Sequence, residues 1–401
     1  IHVNHLGTIF SMTFIWATAL VIGVLVFVHE LGHFLAARSV GVRVEKFSIG
    51  FPPRFISVTS VNDGFDIKVF FYRLIDGRFK WASVINFRIG IPGRVGSNTE
   101  YTIALIPLGG YVKMAGVIDE SLDTVITNSP DEFMSKSVIQ KIWILSAGVL
   151  MNILIAFILF SGISYVQGKP EVIDNRAIIG EVVSGNSADK AGLKPGDEII
   201  SINNQNINEW SDLQTVLRPI PNTPIDVNII RDDKELNFSF NTSSNFIPNQ
   251  NGIDTIGVIG IAPVTIYQPI TLAESFSFGL NGTLNSFGMI MLTFKMLGNG
   301  SASISDLGGP IMIGKIAGEA AETGWMPLFT LMALISVNLA FLNILPIPGL
   351  DGGQIFIILI ETIIRKPLSL KARLAVQQLG MVFLLMIMVT VMFNDISRLF
   401  N

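Results

Sequence analysis

The sequence predicts an α-helical polytopic membrane protein with four transmembrane helices, a membrane-associated β region and an extracytoplasmic α+β module. Hydrophobic residues make up 50% of the 401 residues, charged residues only 14%, and the mean hydropathy is +0.55, whereas soluble domains carry about 25% charged residues. Four segments of about 20 residues lack charged side chains, which is the length that crosses a bilayer as a helix. Longer polar stretches with strand and turn signals separate them.

Each of the four apolar segments is expected to form one membrane span, and together they cover 6–28, 142–166, 325–350 and 374–393. Residues 1–11 precede Met12 and are taken as an N-terminal extension, so the first helix is predicted over 12–37. The third segment is expected to continue to 364. A cleaved signal peptide is the alternative for the first segment, but no basic region precedes its apolar run and no small-residue cleavage site follows it.

Basic residues near the membrane ends predict the orientation of the chain. Within about 20 residues of those ends, the loop 38–141 carries six Lys and Arg residues and the loop 167–324 carries three. The connection 365–373 carries four more. Cytoplasmic loops are the ones enriched in Lys and Arg. The loop 38–141 is therefore placed in the cytoplasm, and both termini are placed outside.

The first long loop, 38–141, has the signature of a cytoplasmic β region. Asn62-Asp63-Gly64 marks a hairpin between two apolar strands. A further strand, 101–106, is followed by Pro107-Leu108-Gly109-Gly110, which indicates a turn. Because these apolar strands lie beside a membrane, they are expected to dip into it.

The second long loop, 167–324, is expected to hold a compact α+β module over 172–242. A polar loop is predicted next, at 243–255, within a linker region that runs to 324. Apolar residues at helical spacing over 272–297 predict an amphipathic helix that lies along the membrane interface.

Composition excludes several classes of function. The chain has 27 basic and 31 acidic residues, a net charge of −4, so no global positive field is present to attract nucleic acid. The absence of cysteine excludes disulfides, thiolate metal sites and a cysteine nucleophile.

The end of the first apolar segment carries the strongest chemical signal, His29-Glu30-Leu31-Gly32-His33. Residues four apart share one face of a helix, whereas Glu30 is turned about 100° away from His29. Two imidazoles on one face can bind Zn²⁺ and leave the neighbouring carboxylate to take a proton from water. Ionisable groups inside an apolar span are costly and tend to be functional, so we prefer this interpretation to a helix end with two structural histidines.

A catalytic zinc ion needs a third protein ligand. His5 precedes His29 by 24 residues, too far along a helix that rises about 1.5 Å per residue. With no cysteine in the chain, the third ligand must be a carboxylate. Asp351 is the acid in an otherwise uncharged membrane segment, and the prolines and glycines around it predict a break in the helix. Glu361, on the following helix, is the alternative.

With these residues in view, the chain resembles the site-2 proteases, the zinc intramembrane proteases of the bacterial RseP type. The two metal motifs of that family match His-Glu-Leu-Gly-His at 29–33 and Asn-x-x-Pro-x-Pro-x-Leu-Asp-Gly at 343–352. Further matches are 47–51, 106–114 and Gly148 with Asn152. The resemblance covers 12–393.

The resemblance implies specific roles for five residues. His29, His33 and Asp351 would bind zinc, Glu30 would activate water, and Asn343 would hold the substrate or the oxyanion. The β region would offer an edge strand to the substrate.

The resemblance also implies a substrate class and a location. The enzyme would sit in the bacterial inner membrane and cleave, within the lipid bilayer, the transmembrane segment of single-span membrane proteins, such as an anti-sigma factor or a signal-peptide remnant. An upstream site-1 protease is an expected partner in the same pathway.

The chain departs from the family pattern in three places. Val149 follows Gly148 where the family usually has proline, residues 56–98 lengthen the cytoplasmic loop, and only one PDZ-like sequence is present where the best-known members carry two. The segment 306–311 resembles the one that precedes the third span in the family, and we interpret it as a positioning or gating element.

Within the second loop, residues 178–203 resemble a bacterial PDZ domain. Gly192 and Gly196 suit turns that need positive φ, and Asp197 suits a turn before the strand 199–202. Two roles are open for this module. It could bind a C-terminal tail as an added strand, or it could restrict access to the site by size, which we prefer.

Two other functions remain as alternatives to a protease. A non-catalytic membrane scaffold that uses its PDZ domain would not need the Glu30 carboxylate. A metal transporter would need a polar path through several spans, whereas the second and fourth segments offer only Asn152, Gln377, Gln378 and hydroxyl groups.

Overall fold

The computed structural model describes residues 12–75, 78–117, 127, 129–172, 175–249, 252–300, 302–303 and 307–400. The predicted extension 1–11 and Asp306 of the predicted gating segment lie outside these residues. The elements up to the second long helix are, in chain order, α1 (Met12–Ser39), β1 (Val44–Val61), β2 (Gly64–Ile75), β3 (Arg78–Gly90), β4 (Glu100–Met114) and α2 (Val138–Gln167).

The second half of the chain begins with short strands and ends with long helices. Its elements are β5 (Lys169–Val172), β6 (Ile179–Val182), α3 (Ser187–Ala191), β7 (Glu198–Ile202), β8 (Gln205–Asn206), α4 (Trp210–Leu217), β9 (Pro224–Arg231), β10 (Lys234–Asn241), β11 (Ser243–Asn249), β12 (Gly252–Val258), β13 (Ile261–Pro263), β14 (Thr265–Gln268), α5 (Leu272–Gly298), α6 (Pro310–Thr323), α7 (Trp325–Ile344), α8 (Asp351–Ile364) and α9 (Leu370–Phe400). They divide between two compact units.

Four of the described helices, α1, α2, α7 and α9, are long and apolar enough to cross a membrane. They correspond to the four apolar segments of the sequence. Small and aliphatic side chains pack between α1, α6 and α7, where Val21, Leu25 and Leu328 are fully buried. Such helices satisfy all their backbone groups internally, which the interior of a bilayer requires.

The third apolar segment is broken, as the sequence predicts. Helix α7 ends at Ile344 and α8 begins at Asp351. Pro346 and Pro348 have no N–H to donate to a helical ladder, and Gly349 adopts a φ of 100° that favours glycine. The break places Asp351 at the first position of a helix.

The loop between α1 and α2 forms a four-stranded antiparallel sheet in the order β3-β2-β1-β4. The predicted hairpin at Asn62-Asp63-Gly64 is confirmed, since Val61 pairs with Gly64 and Asp63 has a φ of 60°. Strand β4 is assigned without a break through the turn predicted at 107–110. Its two halves nevertheless lie on opposite sides of β1, because Phe47 pairs with both Tyr101 and Val112. The chain therefore passes from one side of β1 to the other between these two residues.

The second unit contains an α+β module built on the sheet β10-β9-β7-β8. Its core includes Ile199, Val227 and Ile229, all fully buried. The polar loop predicted at 243–255 is wrong, because β11 and β12 pair there as an antiparallel hairpin. Strands pair through their backbones whatever the polarity of their side chains. The polar composition of this segment therefore gave a false prediction of a loop.

The module also extends beyond the predicted boundary at 242. Strand β13 returns to pair with β6, Ile261 lying opposite Val182, and Ile259 is buried in the core of the module. Strand β14 then pairs with β5, Thr265 opposite Val172. The chain therefore enters and leaves the module through one two-stranded ribbon.

Candidate metal centre

Helix α1 brings the two histidines of the sequence motif onto one buried face. His29 and His33 are 8% and 6% exposed, and their Nε2 atoms are 3.2 Å apart. The spacing of four residues produces this arrangement directly, because one helical turn separates the two side chains.

Asp351 completes a three-ligand cluster from the first turn of α8. Its Oδ2 atom lies 3.1 Å from Nε2 of His29 and 3.3 Å from Nε2 of His33. This Oδ2 atom is buried and has no hydrogen-bond partner, whereas the Asp351 residue as a whole is only partly buried. Among the residues that the structure describes, these three form the one group of acids and histidines whose ligand atoms converge as a metal site requires.

The spacing of the three atoms fits zinc. Histidine and carboxylate ligands lie about 2.0–2.2 Å from Zn²⁺, so two ligands of a tetrahedral site are about 3.3 Å apart. The observed separations of 3.1, 3.2 and 3.3 Å between the three ligand atoms match this expected distance. Three protein ligands leave the fourth position for water or substrate, which is the pattern of catalytic rather than structural zinc.

Close packing of α1 against α2 holds the histidines in place. A Cβ atom at Gly148 would lie 2.6 Å from Cε1 of His29 and from Nε2 of His33, so the helix can approach the cluster only without a side chain there. From the same helix, the main-chain carbonyl of Ile144 accepts a hydrogen bond of 2.8 Å from Nδ1 of His33. That bond places the ring proton on Nδ1 and leaves Nε2 free to bind a metal.

Glu30 lies beside the cluster without being part of it. Its carboxylate accepts a hydrogen bond from the backbone N–H of Val112, and it lines the same cavity of about 370 Å³ as the three ligands. Asn343 also lines this cavity. The Glu30 carboxylate and the Asn343 amide therefore lie in the same cavity as the three candidate ligands, but neither belongs to the cluster of ligand atoms.

The outer segment of β4, residues 110–114, forms one wall of the site. Its inner edge pairs with β1, Ile49 lying opposite Gly110 and Val44 opposite Met114. Within the described residues no strand pairs with the outer edge. Apart from the Val112 N–H, which donates to Glu30, the outer edge therefore has no strand partner for its backbone groups in the part of the chain that the structure describes.

The structure brings together His29, Glu30, His33, Asn343 and Asp351, and it excludes the alternative ligand Glu361. The carboxylate of Glu361 instead accepts hydrogen bonds from the backbone of Leu368 at 2.7 Å and from Nε of Arg373 at 3.0 Å.

Sequence reasoning missed the backbone groups of Ile144 and Val112. Backbone contacts leave no residue-type signal in a sequence. The metal motif gave no hint of which strand or helix would supply them.

Comparison with known proteins gives the family. The model of Peptidase family M50 matches residues 17–77 and 77–387. A protein named as a zinc metalloprotease in Clostridium perfringens is 32% identical over 93% of this chain and 95% of its own length. The regulator of sigma-W protease RasP of Bacillus subtilis is 27% identical over 96% of this chain and 98% of its own length.

A solved PDZ domain of an SdrC-like protein from Listeria monocytogenes covers 23% of this chain and 93% of its own, with 17% identity and a TM-score of 0.19, which is too low to assign a fold. The family match and the 32% identical relative both span most of the chain. The chain therefore belongs to Peptidase family M50, the site-2 proteases, and is a zinc-dependent metalloendopeptidase.

Proposed function

We propose that this protein hydrolyses a peptide bond inside the transmembrane segment of single-span membrane proteins. The observation that carries the proposal is the position of the metal cluster. His29 and His33 lie in a 28-residue apolar helix, and Asp351 lies at the break of another apolar segment. A site at this depth in apolar helices is suited to a substrate that also resides in the bilayer.

His29, His33 and Asp351 would hold the zinc ion. Zinc at this place supplies Lewis-acid chemistry, which polarises a peptide carbonyl and acidifies water. Glu30, which lines the same cavity without coordinating, takes the proton from the attacking water and then donates it to the nitrogen of the leaving amine. The side-chain amide of Asn343 donates a hydrogen bond to the oxyanion of the tetrahedral intermediate.

The outer edge of residues 110–114 is the proposed docking strand for the substrate. A transmembrane helix must unwind before its carbonyl groups can be attacked, and the freed backbone groups need partners because hydrocarbon offers none. Adding the substrate as a strand along this edge would supply them. The Val112 N–H already reaches Glu30, so a peptide on this edge would pass the proposed base.

We place the enzyme in the bacterial cytoplasmic membrane as a multi-pass protein with both termini outside. The excess of Lys and Arg in 38–141 supports this orientation. Single cysteines are clean probes, since the chain has none. In intact spheroplasts an impermeant thiol reagent should label Asn203→Cys and leave Ser97→Cys unlabelled, and the opposite pattern would invert the topology.

The α+β module is proposed to act as a size filter on the outer side, coupling cleavage to an earlier trimming of the substrate by an upstream protease. A cavity of about 420 Å³ lies within the module, between α4 and residues 256–261. This cavity is the feature that favours the alternative role, in which the module recruits trimmed C-terminal tails.

The test of the proposed function is cleavage in a defined membrane. Purified protein and a single-span substrate are reconstituted into liposomes, and the products are mapped by mass spectrometry. The expected cut lies inside the apolar segment of the substrate and is absent with His29→Ala. A cut only in the soluble tails would contradict the proposal, and no cleavage together with bound zinc would favour a non-catalytic scaffold.

A further inference from the structure

Asn152 of α2 lies directly behind His29, on the side away from Asp351. It is fully buried, and its side-chain amide is 3.3 Å from Nδ1 of His29. The other amide atom, Oδ1, is buried and has no hydrogen-bond partner. A buried acceptor without a donor is unfavourable, so this amide group needs a partner.

The amide can face His29 in two ways that differ by half a turn. If Nδ2 donates to Nδ1 of His29, the proton of the neutral imidazole must sit on Nε2. That atom is 3.2 Å from Nε2 of His33 and 3.1 Å from Oδ2 of Asp351, and a proton there would block metal binding. If Oδ1 instead accepts a hydrogen bond from Nδ1–H, Nε2 keeps its lone pair and Oδ1 gains its missing partner.

We propose that Asn152 is a positioning residue that fixes His29 as a zinc ligand by accepting the Nδ1–H hydrogen bond on Oδ1. The inference rests on the proposed ligand set. His33 is held in the same tautomer by the main-chain carbonyl of Ile144. The two histidines are thus oriented in the same sense by α2, but only the acceptor for His29 belongs to a side chain.

A second helix holds Asn152 in place. The Ser336 hydroxyl of α7 donates a 2.8 Å hydrogen bond to the main-chain carbonyl of Asn152, and Ser336 is itself fully buried. The backbone of α2 is therefore pinned at this residue. A well-fixed acceptor orients an imidazole ring more strictly than a mobile one does, which is the role of second partners in metal sites.

The test compares two substitutions in the full chain, purified in detergent. Asn152→Asp keeps an acceptor oxygen, whereas Asn152→Leu keeps the branching of the side chain and removes the acceptor. Zinc affinity is measured by competition with a chelator, without substrate. Asn152→Leu should bind zinc about 10–100-fold more weakly than the unsubstituted protein, and Asn152→Asp should stay close to it. Ser161→Ala, which removes a buried unpartnered hydroxyl elsewhere on α2, is the matched control and should not change the affinity.

A role in packing alone predicts the opposite order, because a buried carboxylate costs more than a buried aliphatic side chain. Equal affinity of Asn152→Leu and the unsubstituted protein, or an equal loss in Asn152→Asp, would overturn the proposal. Thermal unfolding of the zinc-free variants identifies any folding defect, and Asn152→Ala then replaces the leucine variant. His29→Ala separates the two proposals, because zinc retained in that variant would refute the ligand set itself.

Discussion

Asp351 is the residue on which the proposed metal site depends most, because it is the one proposed ligand outside the helical motif. Its Oδ2 atom faces two imidazole nitrogens and accepts no hydrogen bond. Glu361, by contrast, is already neutralised by an ion pair with Arg373. The two acids, which the sequence left as alternative ligands, therefore differ in role: Asp351 faces the histidines, and Glu361 forms an ion pair.

Substituting each of these two acids distinguishes metal binding from a structural ion pair. Asp351→Asn should lose zinc and peptidase activity together, because a neutral amide is a poor zinc ligand. Glu361→Gln should keep about one zinc per chain, although its stability should fall, because Arg373 loses its carboxylate partner. Zinc is measured by atomic absorption on purified protein. Zinc lost from Glu361→Gln and kept in Asp351→Asn would reverse the ligand assignment.

Gly148 gives a second prediction at this scale. A methyl group at Gly148 would lie 2.6 Å from both imidazole rings, whereas Gly162 on the same helix has open space around it. Gly148→Ala should therefore weaken zinc binding and lower the melting temperature, and Gly162→Ala should leave both unchanged. Zinc content is measured by the same assay, and the melting temperature by thermal unfolding in detergent. A normal zinc content in Gly148→Ala would mean that α2 is not held against the cluster.

At the residue scale the sequence predicts most of the site. His29, Glu30 and His33 are local in sequence, so helical periodicity alone fixes their relation. Asp351 follows from the rarity of acids in apolar segments. The hydrogen bonds from Val112 and to Ile144 could not be predicted, because they join backbone atoms of segments that meet only in the folded chain.

Among the elements, α6 has an unusual N-terminal cap. Its own cap residue is Gly309, which has no side chain to accept the free N–H groups. The carboxylate of Asp395, on α9, accepts hydrogen bonds from the backbone of Gly309, Ile311 and Met312 at 2.9–3.1 Å. Helix α6 packs in turn on α1, where Gly314 faces the Phe14 ring. A carboxylate distant in sequence therefore fixes the helix that packs on α1, which carries His29 and His33.

Removing this cap should destabilise the protein. Asp395→Ala leaves three N–H groups without an acceptor and should lower the free energy of unfolding by about 2 kcal/mol, the range of hydrogen bonds to charged groups. Glu274→Ala removes an exposed capping residue of α5 and should have a smaller effect. Both are compared by thermal unfolding in detergent. An Asp395→Ala protein as stable as the unsubstituted one would show that α6 needs no cap.

The helices and strands that depend on a local sequence pattern were predicted correctly. Those that depend on contacts with distant segments were missed. Apolar length fixed the four long helices, and prolines fixed the break before Asp351. Strands β11 and β12 were missed because Ser243, Ser244 and Asn245 are polar and, among the described strands, the two pair only with each other. Helix α6 was missed as a helix because it is capped by a residue about 80 positions further along the chain.

For the whole molecule, the α+β module can be removed at its ribbon without cutting its core. Val172 and Thr265 are paired across β5 and β14, so deleting 173–264 and joining the ends by a short glycine linker leaves the rest of the chain intact. As a size filter, the module should block substrates that carry a folded outer domain. The shortened enzyme should then cut an untrimmed substrate and should cut a trimmed one as before.

The outcome separates the filter from a recruiting groove. Slower cleavage of the trimmed substrate, with the untrimmed one still resistant, would mean that the cavity beside α4 recruits tails. Rates for both substrates are compared in liposomes with full-length and shortened enzyme, and zinc content confirms that the metal centre of the shortened form is intact.

In the proposed mechanism Glu30 moves the proton, while His29, His33 and Asp351 hold the metal. Glu30→Gln tests it most directly, because it removes only the base. We expect about one zinc per chain in this variant, as in the unsubstituted protein, with cleavage of a reconstituted single-span substrate abolished. A Glu30→Gln protein that still cleaves, or one that has lost its zinc, would contradict it.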